Sequence, residues 1–388
     1  MERHTCISAA VLAVCFAVSG MAQTAQTGPA ASTGDQRASA SAQATPSRSL
    51  AAWKLGPVNV SGMVDGYFSW GFNHPTGHLS LLRNFDDKTN QPELNMAALA
   101  FDYAPKPVGF HVDVGVGRTF DIMSATENDA TWMRSFKQAY ISAKPASWNG
   151  TEFNFGRFVT FAGAEVIETQ HNWNYSRSLL FVLCTPYYHF GIRATAPIGK
   201  HFNTGLQVVS GWNNIVTGAT FRTVGLTGSW APSSKVTWTN TYYGGPDENK
   251  ADRGLRNLYD TVLLVTPNWK TSLYINLDHL HNSPRCAPGY QVFGVAGAAR
   301  RQLTEKFALS WRLEWLNDLS GSVTGAAQQA KEITLTGTYA VLDRLSGRLE
   351  LRRDWSNRPF FNRGDGLGNW RNQPTLLVGM VVLIGPGR

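Results

Sequence analysis

Past its first two dozen residues the chain contains no apolar run of the roughly 20 residues that a helical membrane span requires. A bundle of transmembrane helices is therefore excluded. Cysteine is scarce, four in 388 residues, and only Cys184 and Cys286 lie beyond the N-terminal segment. A disulfide framework is excluded, and at most one pair could form in an oxidising compartment. Charged residues make up only 16%, and the net charge of +8 is spread without the clustered Lys/Arg and aromatic interleaving of a nucleic-acid binder. Signals of covalent chemistry are missing too. There is no G-x-S-x-G elbow and no phosphate-cradling glycine motif, and His279 and His281 share a strand face without a third metal ligand nearby. The expectation is a non-enzyme without cofactor or metal.

The N-terminus is organised for export. Arg3 and His4 precede an apolar run from Ile7 to Val18, and Gly20-Met21-Ala22 offers small residues for cleavage. Residues 1–22 are expected to be a cleaved signal peptide. Residues 23–52 are Ala, Ser, Thr, Gln and Pro with hardly a large apolar side chain, the composition of a disordered periplasmic linker. The remainder, 53–388, is expected to form one domain in the outer membrane.

That domain alternates apolar and polar residues with a period of two, in segments joined by short turns and long loops in strict succession. Short Pro- and Gly-bearing turns fall near 104–109, 144–150, 197–201, 232–235, 266–269, 302–306 and 341–344, with long polar connections between them. Such parity is expected of an all-β transmembrane antiparallel barrel, with tight periplasmic turns and longer extracellular loops. About 16 strands are counted (14–18), starting near Val58, Glu93, Gly109, Phe136, Thr151, Tyr187, Phe202, Thr220, Lys235, Leu255, Trp269, Tyr290, Phe307, Lys331, Leu345 and Thr375. In the first, Val58, Val60, Val64, Phe68 and Trp70 share one face, and Asn59, Ser61, Asp65, Tyr67 and Ser69 the other. Trp70, Trp212, Trp315 and Trp355 are expected in an outer aromatic girdle, and Tyr103, Trp148, Trp230 and Trp269 in an inner one.

A closed sheet of this size leaves a lumen too wide for wall side chains to fill. Its inward faces are predicted to be polar, lined by Asp65, Asp113, Arg118, Arg193, Arg312, Glu314, Arg348, Glu350, Arg352 and Asp354. Positive and negative charges nearly balance, so no strong ion selectivity is expected. Arg348 to Asp354 alternate in sign along one strand, either as a charged ladder for solutes or as a salt-bridged, stiffened wall. The connection 159–186 follows the fifth strand and is dense in polar groups. It is expected to fold inward and narrow the pore through Glu165, Glu168, Asn174, Tyr175 and Arg177, with both glutamates facing the arginines.

Several segments resemble the OmpL-like β-barrel porin family: Asp65-Gly66-Tyr67-Phe68, Gly156-Arg157-Phe158-Val159-Thr160, Asn174-Tyr175-Ser176-Arg177-Ser178-Leu179-Leu180-Phe181, His189-Phe190-Gly191-Ile192-Arg193 and Gly211-Trp212-Asn213-Asn214. Arg312-Leu313-Glu314 and Arg348-Leu349-Glu350 extend the resemblance into the second half. It implies an outer-membrane channel and supplies no catalytic residues. The expected function is passive diffusion of small hydrophilic solutes through a water-filled lumen; the alternative is a structural or adhesive barrel with a blocked lumen. Expected partners are outer-membrane lipids and lipopolysaccharide, the solutes themselves, and two further copies of the chain in a homotrimer.

Overall fold

The computed structural model describes residues 52–125, 131–216, 222–246, 254–283 and 289–385. Sixteen long antiparallel strands follow the chain in order: β1 Val58–Gly71, β2 Pro92–Tyr103, β3 Val108–Val116, β4 Phe136–Ala143, β5 Glu152–Val159, β6 Tyr188–Ile198, β7 Phe202–Val209 and β8 Thr223–Ser233. Then come β9 Val236–Pro246, β10 Leu255–Asn268, β11 Thr271–Ser283, β12 Tyr290–Gln302, β13 Phe307–Asp318, β14 Gln328–Leu342, β15 Leu345–Ser356 and β16 Asn372–Ile384. Each pairs with its neighbours, and β16 pairs with β1 in the register Val378↔Phe68, so the sheet closes on itself. Closure leaves the sheet no free edge strand, which the hydrocarbon phase demands. A three-residue segment, Trp53–Leu55, turns back onto the start of β1.

Every strand begins within three residues of its predicted start, and the loop parity holds: three-residue 199–201 and two-residue 234–235 alternate with connections such as 72–91 and 160–187. The alternation of faces follows the period of two. On β1 Phe68 and Trp70 are exposed while Asp65 and Ser69 are buried, and on β13 Trp311 and Leu313 are exposed while Ser310 and Arg312 are buried. The outward rows form the apolar belt, and the inward rows form the wall of the lumen. Trp70, Trp148, Trp230 and Trp269 keep the exposed outward positions expected of girdle residues.

Two expectations are corrected. Trp212 is not a girdle residue: it is buried in an apolar cluster, with the Arg256 guanidinium 4.0 Å from its ring. The inward faces are also not uniformly polar. Leu258, Val262 and Leu264 of β10, Leu280 of β11, Val292 of β12 and Leu316 of β13 all point inward and are buried, because chain segments inside the barrel cover them. Whether Cys184 pairs with Cys286, which the sequence leaves open, lies outside the described residues, since Cys286 is not among them; Cys184 is buried.

Candidate functional site in the lumen

The connection 160–187 enters the barrel and crosses it. Its first residues hang from β9, where the Tyr243 hydroxyl accepts from the Phe161 amide (3.1 Å) and the Thr160 hydroxyl (3.2 Å). The Ala164 amide then donates to Asn276 Oδ1 on β11 (3.1 Å). On the opposite wall, Asp65 of β1 accepts from the Tyr175 hydroxyl (2.7 Å) and the Thr169 hydroxyl (2.5 Å). Glu350 of β15 accepts from the backbone amides of Tyr175 (2.5 Å) and Ser176 (3.0 Å) and from the Thr336 hydroxyl (2.7 Å). Walls on both sides of the bore therefore hold one segment by its backbone, where hydrogen bonds to ionised groups are strongest. The approach is close. A Cβ on Gly379 of β16 would lie 2.3 Å from the Tyr175 ring, and one on Gly294 of β12 would lie 2.2 Å from Leu180, so only glycine leaves room at these wall positions.

One side of the segment is apolar. Ser178 caps the short helix α2 (Leu179–Leu183) by accepting from the Phe181 amide, and Leu179, Leu180 and Cys184 pack on Leu258, Leu280, Val292 and Leu316. Trp173 and Ala164 cover Val262, Leu264 and Tyr274. Burial pushes the Cys184 thiol well above the ordinary thiol range. The connection 72–91 also folds in, which sequence reasoning missed: Phe85 meets Phe181 and Tyr187, and Arg83 pairs with Asp354 (2.8 Å) and Asp86 (2.6 Å).

The arginine ladder is a charge-compensated wall. Arg312 is buried among Glu165 (2.6 Å), Glu314 (2.8 Å) and Glu332 (2.8 Å). Arg352 meets Glu332 (3.2 Å) and Asp354 (2.7 Å) and donates to the Ser176 hydroxyl and the Arg177 carbonyl. Arg348 donates to the Asn174 carbonyl (2.9 Å), and the Asn174 amide donates to Thr336 (2.7 Å). Glu332, which joins the two arginines, was not singled out from the sequence, although its inward position on β14 follows from the period of two.

Other expected site residues sit differently. Glu165 faces the arginines, but Glu168 does not: it pairs with Lys137 on β4, which also meets Asp113 (2.8 Å). Burial raises the Glu168 carboxyl, but the neighbouring ammonium outweighs it and holds the group below its ordinary range. Arg177 is not turned to the bore; its guanidinium donates to the Val166 carbonyl (3.0 Å) and the Thr169 hydroxyl (3.1 Å) and staples the segment to itself. Arg193 lies on the inward face but is enclosed by the rings of Phe158 (4.5 Å), Tyr140 (5.1 Å) and Phe161 (5.3 Å). Arg118 is not on a strand, because β3 ends at Val116; it sits in the short helix α1 (Arg118–Met123) and pairs with Asp87.

A family model described as "Putative beta-barrel porin-2, OmpL-like" matches residues 57–384, the whole of the barrel. The chain belongs to the OmpL-like porins. Among solved structures, this porin is similar in fold to the anion-selective porin from Comamonas acidovorans (TM-score 0.60, 11% identity, covering 84% of this chain and 99% of that one). It is likewise similar to the outer membrane channel DcaP of Acinetobacter baumannii (0.61, 8%, 86% and 100%). A third is the in-vitro folded OmpT of Vibrio cholerae in its trimer form (0.52, 9%, 84% and 98%). No curated protein matches by sequence. The family and these folds belong to the outer membrane, and OmpL-like porins are barrel channels.

Proposed function

We propose that the protein is an outer-membrane porin through which small hydrophilic solutes diffuse down their gradients, with no covalent chemistry. The observation that carries this reading is the segment 160–187 fixed inside a closed barrel by both walls; on this reading it divides the bore and sets the size of what passes. Its partly exposed residues, Val166, Glu168, Gln170 and His171, interrupt an otherwise buried stretch. The inner half of the lumen keeps polar groups that are partly open to water, including Asn59, Ser61, Asp102, His111, Glu152 and Ser346. On this reading Glu165, Asn174 and Tyr175 position the constriction, and Glu168 faces the passage. Residues 1–22 act as an export signal, 23–52 as a periplasmic linker, and three protomers associate.

Deleting Phe161–Tyr175 removes the attachments of Phe161 to Tyr243, of Ala164 to Asn276, and of Thr169 and Tyr175 to Asp65. Single-channel conductance in planar bilayers is expected to rise severalfold, and unchanged conductance refutes the constriction. The near-complete burial of 172–181 favours one other reading, a barrel blocked in its resting form. Liposome swelling with sugars of graded size separates the two, since a blocked barrel admits none.

A further inference from the structure

The outward rows of β14 and β15 break the rule that a lipid-facing strand is apolar. They run Lys331, Ile333, Leu335 and Leu349, Leu351, Arg353, Trp355, and both cations are exposed. Lys331 lies opposite Trp355 and Ile333 opposite Arg353, so the cations are diagonal neighbours on one patch. Each stands three residues inside the outer end of its strand, given that β14 begins at Gln328 and β15 ends at Ser356. Beside them a groove of about 450 Å³ is lined by Ile333, Arg353, Trp355, Ser356, Arg371 and Asn372, and this brings in a third exposed cation. Among the described residues none of Lys331, Arg353 and Arg371 forms an ion pair, and the outward rows of both strands contain no carboxylate.

We infer that this groove binds a phosphate-bearing lipid headgroup of the outer leaflet. Three cations converge at the depth where headgroups begin, and a charge facing lipid costs little there compared with the mid-membrane. A guanidinium can grip phosphate through two parallel hydrogen bonds, and an ammonium adds a point charge beside it. Trp355, with Trp315 facing Lys331 from β13, supplies the amphipathic floor on which a sugar ring and the first acyl carbons would rest. A protein partner would have to approach through lipid at this depth, whereas a headgroup is already present. The site is outside the barrel and does not depend on the channel being open.

The test uses the folded barrel in detergent micelles and bis-phosphorylated lipid A, with binding read by native mass spectrometry. The outer triple variant Lys331→Gln, Arg353→Gln, Arg371→Gln is expected to bind at least tenfold more weakly. A control triple at the inner turns, Lys235→Gln, Lys270→Gln, Lys306→Gln, loses the same charge and should stay within twofold of the parent; heat-modifiable gel mobility confirms that both fold. Dephosphorylated lipid A should bind the parent as weakly as the intact lipid binds the outer triple. Equal binding by the outer triple and the parent, equal loss in the control, or equal binding of the dephosphorylated lipid overturns the assignment.

Discussion

Arg312 concentrates the electrostatics of the lumen in one side chain. It is fully buried, and three carboxylates from the inward segment, from its own strand and from β14 converge on it. Replacing it with leucine leaves Glu165 and Glu314 without their paired cation, while Glu332 keeps Arg352, a change that costs about 3–5 kcal/mol when a buried pair loses one partner. In an Arg312→Leu variant the temperature at which the gel mobility of the folded barrel is lost should fall, and single-channel current should become noisier as Glu165 lets go. A variant as heat-resistant and as quiet as the parent would show that the cluster does not hold the segment. Glu165 and Glu168 show what single residues in an irregular connection cannot reveal. They are three apart in a stretch without period, so nothing in the sequence says that one meets Arg312 and the other Lys137. Lys137 was hidden for a related reason, because the β3–β4 register shifts beside Asp113 and turns it inward out of turn.

At the scale of elements, the strands were legible because lipid outside and water inside impose a period of two, and the turns were legible from their residues and their alternation in length. The apolar part of the lumen was not legible. In β10 the run Val262-Leu263-Leu264-Val265 has no period, and its inward members are apolar because Ala164 and Trp173 cover them, a contact between segments about 90 to 100 residues apart in the chain. The fit of the inward segment also depends on single attachment points. Tyr243 accepts three hydrogen bonds at one hydroxyl, including one from Gln207 (2.9 Å). Tyr243→Phe strands the buried Phe161 amide, at a cost of about 1–3 kcal/mol. Hydrogen exchange at Phe161 should accelerate by one to two orders of magnitude while the strand amides of β9 stay protected; exchange unchanged at Phe161 would mean that the segment is held elsewhere.

At the scale of the whole molecule, the barrel wall is uneven. Strands β3, β4, β5 and β7 have only 8 or 9 residues, whereas β14 has 15. Lipid beside the short strands would have to thin to match them, which costs free energy for every ångström of mismatch. Covering that side with another protomer removes the cost, so native mass spectrometry in mild detergent is expected to show a trimer. Ile141→Arg, on the outward face of β4, should shift it to monomer with the barrel intact. A trimer that survives the substitution would place the contact on another wall. The inward segment also constrains the order of assembly. Its amides are held by Glu350, 175 and 174 positions further along the chain, and Leu180 by Glu314, 134 positions on. Those acceptors lie on β15 and β13, so the segment gains its holds only once that distant part of the sheet is in place. Until then the cylinder is an open hoop, and the partition across it arrives with the wall rather than before it.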